Sequence, residues 1–179
     1  MSNRAKLFIP AAFFVTMMGL LSYGLFQDPS HVPSALMNRP LPVFSLPALS
    51  DETKQISSSE LKGGIYLINF WATSCAPCMI EHPYLLEISE REKDITLVGV
   101  NFWETNADDA REFLKERGNP YKISLSDKNS KLGLDFGVTG EPETYVVDKT
   151  GTIRYKHIGE IDNTKWQEIF VPILKQLRQ

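Results

Sequence analysis

The chain has 179 residues, 42% hydrophobic and 23% charged, an ordinary globular balance with room for one domain and an appendage. Its net charge is −3 and no basic block lies beyond the extreme N-terminus, which excludes a nucleic-acid binder. Two cysteines are too few to staple a fold of this size, so they read as a working pair.

Residues 1–6 are short and basic through Arg4 and Lys6. Residues 7–26 carry no charge, and about 20 apolar residues in a helix rise roughly 30 Å, the thickness of a hydrocarbon core. This predicts a signal anchor with residues 1–6 in the cytoplasm and the rest of the chain across the membrane. A cleaved signal peptide would need a shorter apolar core and a small-residue site. Ser22-Tyr23-Gly24, followed by Leu25 and Phe26, is a poor one. Residues 27–40 are polar and proline-rich, as in a periplasmic linker, and residues 41–179 form the domain.

Within the domain, Val43–Leu46 before Pro47 predicts a short edge strand, Asp51–Lys54 a turn and Ser57–Leu61 a short helix. Ile65–Trp71 has a strand's composition and leads into the two cysteines, and a helical pattern runs from about Ala76 to about Lys93. Pro77 suits that helix's first turn, whereas Pro83 predicts a kink. Ile95–Asn101 reads as a strand covered on both faces, and Asn106–Leu114 as a helix with acids in its first turn, ended by Gly118-Asn119-Pro120. A short strand at Ile123–Leu125 and a helical turn at Leu132–Phe136, stopped by Gly137, follow. Tyr145–Val147 and Ile153–His157 form a hairpin around Asp148–Gly151. The last helix starts near Asp162 or Asn163. It has an apolar face of Trp166, Ile169, Phe170, Ile173, Leu174 and Leu177, and Pro172 bends it.

The chemistry concentrates in Trp71-Ala72-Thr73-Ser74-Cys75-Ala76-Pro77-Cys78. A Cys-x-x-Cys at a strand-to-helix junction of an alternating α/β chain points to dithiol redox chemistry. Near a helix N-terminus, unpaired N–H groups and the helix dipole favour a thiolate on Cys75, and Cys78 one turn on can close a ring. Cys75 then attacks a substrate disulfide and Cys78 resolves the mixed disulfide. A structural zinc site is poorly served, because His82 is the one histidine near the pair. Two inert core thiols are the remaining plain alternative. Downstream, Pro142 in Gly137-Val-Thr-Gly-Glu-Pro-Glu-Thr144 precedes a strand, and residues alone leave both a cis and an ordinary trans peptide open. A cis turn would hold the Glu141 backbone exposed beside the sulfurs for a substrate strand to pair with.

Trp-Ala-Thr-x-Cys-x-x-Cys followed by Glu-His-Pro, then Gly-Val-x-Gly-x-Pro-Glu-Thr and Ile-Arg-Tyr-x-His-x-Gly, resembles the membrane-anchored thioredoxin-like proteins of cytochrome c maturation, the DsbE/CcmG family. The likeness covers the soluble region from about Arg39 onward, and the N-terminal anchor agrees with it. It implies an α/β thioredoxin-like fold, a central mixed sheet flanked by helices behind one transmembrane helix, facing the periplasm. It also implies a reductant that keeps the haem-binding Cys-x-x-Cys-His of apocytochrome c as a dithiol. Its partners would be oxidised apocytochrome c or a thiol protein of the haem-ligation complex, with electrons from a DsbD-type transmembrane donor and no cofactor or metal of its own.

Residue by residue, the resemblance makes Cys75 the attacking and Cys78 the resolving thiol of a redox-active disulfide. Pro142 becomes a cis-proline, Glu81 the buried acid of the active-site helix and Glu143 the acid after the cis-proline. Trp71 is a supporting residue, and Pro77 and Glu141 are expected to meet the substrate. Ser74 departs from the family, which often has tryptophan before the first cysteine, and Glu141 is bulkier and more charged than expected. Glu81, Glu141 and Glu143 are all expected to add negative charge near the sulfur, and Ala76 and Pro77 donate nothing to it. Both features favour a reductant, since a poorly stabilised thiolate is the more reducing one. Glu81 is also expected to accept the Cys78 proton through a water. The competing readings are a general periplasmic or copper-site-assembly reductase, a metal-binding chaperone using Cys75, Cys78 and His82, and a thiol peroxidase. The last lacks an arginine close to the cysteines in sequence.

Overall fold

A computed structural model describes residues 3–25, 36–104 and 106–179, with side chains described from Phe8 to Gly24 within the first stretch. The chain divides into two units, residues 1–32 and 33–179. In the first, helix α1 (Asn3–Leu25) has every described side chain exposed, including Phe8, Phe13, Phe14, Leu20 and Leu21. No helix is long and apolar enough, among the described residues, to cross a membrane. The expected linker residues 27–35, with Pro29 and Pro33, and His31 lie outside the described residues.

The second unit opens with strands β1 (Ser45–Ala48) and β2 (Asp51–Ser57), a hairpin turning at Leu49-Ser50. Two expectations change here. Asp51–Lys54 begins a strand, because β2 is an exposed edge whose only buried residue is Ile56, and such a strand shows no apolar alternation to read. β1 contains Pro47 and lies inside the sheet, between β2 and β5 (Ile123–Asp127). It meets β5 only at the Ala48–Leu125 pair, so that flank has no continuous ladder for a proline to interrupt. A 3-10 turn, Ser58–Glu60, follows with a reciprocal cap: Ser57 Oγ accepts the Ser59 N–H, and the Glu60 carboxylate accepts the Ser57 N–H.

Strand β3 (Ile65–Trp71) is buried at all seven positions, as its near-continuous apolar run demands. Helix α2 (Ala76–Arg91) leaves its C-terminal end, and β4 (Ile95–Phe102) returns parallel to β3 in the register Trp71–Asn101. Helix α3 (Ala107–Arg117) is capped by Asn106, whose side chain accepts the Asp108 N–H, and stops at Gly118, where φ is +89°. After β5 come α4 (Lys131–Phe136), closed by left-handed Gly137, and the hairpin β6 (Glu143–Val147) and β7 (Ile153–Ile158). The mixed sheet runs β2-β1-β5-β4-β3-β6-β7.

The expected single C-terminal helix is three pieces: α5 (Asn163–Lys165), a π turn (Trp166–Phe170) and α6 (Val171–Leu177). Pro172 has no N–H for the Glu168 carbonyl. The turn before it widens, and the Val171 N–H reaches the Trp166 carbonyl instead. The expected apolar face survives, with Trp166, Phe170 and Leu174 buried and Ile169, Ile173 and Leu177 packed on the same cluster.

The sheet separates two cores. On one face Leu67, Trp71, Leu97 and Val146 pack with Leu85 and Ile88 of α2, Ala110 and Leu114 of α3, and the C-terminal helix. On the other, Ile68, Phe70, Val98, Val100 and Tyr145 pack with Leu132 and Phe136 of α4. The first face admits polar groups at the middle of β3 and β4, and glycine makes the room. A Cβ on Gly99 would lie 2.5 Å from Cδ2 and 2.6 Å from Cγ of Tyr121, whose ring lies on the strand there. Gly99→Ala is expected to cost about 1–3 kcal/mol through overpacking, read as a lower urea midpoint of the oxidised protein. An unchanged midpoint contradicts this account of the close approach.

Candidate active site

Cys75 is the N-cap of α2, held in extended backbone as β3 runs out through Ala72-Thr73-Ser74. Its sulfur accepts the Cys78 N–H at 3.2 Å. A helix begins here because the cysteine side chain satisfies one of the first-turn donors and Pro77, in the first turn, has none to leave over. Cys75 and Cys78 form a disulfide with an S–S distance of 2.06 Å. Cys75 is 8% exposed and Cys78 3%, whereas Ser74, Ala76 and Pro77 beside them are exposed.

Below the disulfide, Glu81 is 1% exposed. One carboxylate oxygen accepts the Asn69 side-chain N–H at 2.9 Å and the other the Ile161 backbone N–H at 3.0 Å. Asn69 also donates to Thr144 Oγ1 at 3.0 Å and accepts the Tyr121 hydroxyl at 2.7 Å. Burial pushes the Glu81 carboxyl up to about 7, against the pull of those two donors, and pushes the Tyr121 phenol well above its ordinary range. Glu81 is thus the buried acid of the active-site helix, one turn beyond Cys78.

Trp71 is 2% exposed, with its ring stacked on Tyr121 at 5.8 Å and tilted on Phe113 at 5.7 Å. His82 is a packing residue: its Nε2 lies 3.1 Å from the Gly118 carbonyl oxygen and its ring meets Phe113 edge-on at 4.8 Å. Burial holds its basicity below that of an ordinary histidine, and the Gly118 contact opposes this.

The Glu141–Pro142 peptide is cis, and the Pro142 carbonyl accepts the Gly159 N–H at 2.9 Å. β6 pairs antiparallel with β3, Glu143 opposite Phe70, which sets Pro142 at the sheet end where β3 leads to Cys75. The acids divide differently from expectation. The Glu143 side chain faces the second core with Tyr145 and Val147, on the side of the sheet away from α2, because the period of two turns alternate β6 residues to opposite faces. There it is fully buried and ion-paired to Lys156 at 2.9 Å, with further donors from the Tyr145 hydroxyl, the Thr139 hydroxyl and the Thr139 N–H. Its charge is matched there by Lys156, and it still raises the neighbouring Glu141 carboxyl.

Glu104, which no spacing in the sequence singles out, binds the loop that leads to Cys75. Its carboxylate accepts the Thr73 hydroxyl and N–H, two residues before Cys75, and an Asn101 amide N–H. Only the parallel register of β3 and β4 brings residue 104 to residue 73. Glu141 is half-buried, and its carboxyl is raised by burial first, then by Glu104 and Glu143.

The raised Glu81 carboxyl fixes a pH dependence of stability. In the folded protein it binds its proton up to about 7, whereas the unfolded chain releases it near the ordinary value of 4.5. The resulting stabilisation is complete below about pH 4.5 and is lost as pH rises to 7, about 3 kcal/mol in all. Glu81→Gln is expected to remove this falling slope in urea unfolding of the oxidised protein between pH 4.5 and 7.5. A variant that keeps the wild-type slope contradicts the assignment.

Comparison with known proteins follows the same lines. The Redoxin family matches residues 37–169. The chain is 41% identical over 175 residues to the thiol:disulfide interchange protein DsbE of Pseudomonas aeruginosa, covering 98% of this chain and 96% of that one. It is 38% identical over 177 residues to DsbE of Escherichia coli, covering 96% and 94%. Its fold resembles the secreted thiol-disulfide isomerase of Corynebacterium glutamicum, with a TM-score of 0.69 at 23% identity over 84% of this chain and 96% of that one. A helix-tip dithiol above a buried acid, in a chain this close to those proteins along nearly its whole length, makes it a thiol-disulfide oxidoreductase that belongs to the DsbE family.

Proposed function

We propose that the protein is a periplasmic reductant of cytochrome c maturation, which keeps the haem-binding cysteines of apocytochrome c in the dithiol state. Electrons come from a DsbD-type transmembrane donor, and residues 7–26 anchor the chain in the inner membrane. The uncharged, exposed helix surface from Phe8 to Gly24 supports the anchor.

The observation that carries the reductive reading is the electrostatic setting of Cys75. The N–H of Cys78 donates to its sulfur, while the Glu104 carboxylate is bonded to Thr73 of the same loop and Glu81, ionised above about pH 7, lies one turn beyond Cys78. Negative charge nearby disfavours a thiolate, and a less stabilised dithiol gives up its electrons more readily. In the cycle, the Cys75 thiolate attacks one sulfur of the substrate disulfide and expels the other as a thiolate. Cys78 loses its proton to the Glu81 carboxylate through a water and attacks Cys75 Sγ, which releases the second substrate sulfur. Two electrons pass to the substrate, whose two thiolates take up protons from solvent as Glu81 returns its own, and the Cys75–Cys78 disulfide remains for the donor to reduce.

Equilibration of the Cys75–Cys78 couple against glutathione tests the direction of flow. A potential well below about −200 mV is expected, and one near −120 mV marks an oxidant and overturns the proposal. Loss of the protein in its host is expected to abolish c-type haem attachment and spare copper oxidases; the reverse pattern would favour a copper-site reductase.

A further inference from the structure

The indole of Trp103 has no role in the packing of the fold. It is 73% exposed, and its one ring contact among the described residues is edge-on to Phe102 at 5.7 Å. Its backbone is left-handed, with φ of +57°, an outlier for a bulky side chain. Strain of this kind gathers where a surface has work to do.

Its place is set by the strands. In the parallel register Trp71 pairs with Asn101, so Trp103 stands two residues beyond the pair on β4 just as Thr73 does on β3. The left-handed turn folds Glu104 back onto Thr73 and Asn101, and the indole is left outside. The loop carrying Trp103 is therefore tied directly to the loop that carries Cys75. The exposed residues flanking Cys75 are Ser74, Ala76 and Pro77, all small. They offer little apolar surface beside the sulfur, whereas an indole supplies a large, rigid one at low entropic cost.

We propose that Trp103 is a specificity-determining residue: its indole face is the platform on which a polypeptide substrate lays the side chain flanking its disulfide while Cys75 attacks. This rests on the reading of the protein as a reductase of polypeptide disulfides and names the surface that grips them. A small disulfide with no flanking residues makes no use of it.

The test uses the full chain, reduced and held in detergent, with an oxidised Cys-x-x-Cys-His peptide and with hydroxyethyl disulfide. Trp103→Gly removes the ring and accepts the left-handed backbone without strain. It is expected to raise KM for the peptide about tenfold, the order of an aromatic anchor lost from an interface, with kcat held within about twofold. The rate with hydroxyethyl disulfide is expected to stay at the wild-type value, and Trp103→Phe to recover most of the peptide KM. An unmoved peptide KM in Trp103→Gly overturns the proposal, as does an equal loss toward both substrates, which marks a structural role. A wild-type chain that reduces hydroxyethyl disulfide but not the peptide removes the functional reading itself, and Trp103 with it.

Discussion

The contact between the Cys78 N–H and Cys75 Sγ, at 3.2 Å, is the constraint on which the site depends. It puts the Cys75 sulfur in the N-cap position of α2, where the unpaired first-turn donors and the helix dipole act on it. The fold serves to hold that tip still. β3 is buried along its whole length, Trp71 at its end is fixed by the rings of Tyr121 and Phe113, and Glu104 ties down Thr73. α2 itself is held by Leu85 and Ile88 in the first core.

Beneath the tip, the arrangement works by withholding solvent from an acid. Glu81 is almost fully buried, yet its oxygens receive only neutral donors, from Asn69 and Ile161. That balance leaves its carboxyl near 7, able to take or release a proton in the neutral range. Asn69 is turned by Thr144 and Tyr121, and Tyr121 fits because Gly99 carries no side chain. Glu143 shows the opposite solution. Equally buried, it is matched by Lys156, and it behaves as a structural ion in the other core.

Much of this was legible in the residues. The apolar run of β3, the cysteine spacing, Pro77 in the first turn and the Asp148–Gly151 hairpin each carry a local signal, and each stands where that signal puts it. The family motif added the cis peptide at Pro142 and the burial of Glu81, which no local pattern discloses. What escaped depends on register or on weak patterning. β2 was missed because an exposed edge strand has one buried residue to betray it. The Lys156 partner of Glu143 is likewise set by strand pairing, since parity and not distance along the chain decides which core a side chain enters. Glu104 carries no local signal because it becomes a neighbour of Thr73 only once β3 and β4 are paired.

The claim at the centre is that Cys75 makes the bond to substrate and Cys78 breaks it. Trapping tests it most directly: Cys78→Ser and Cys75→Ser variants, each reduced and mixed with oxidised Cys-x-x-Cys-His peptide, are examined by intact mass. The account predicts a stable mixed disulfide through Cys75 in Cys78→Ser and none in Cys75→Ser. A mixed disulfide through Cys78 in Cys75→Ser, with none in Cys78→Ser, would contradict it.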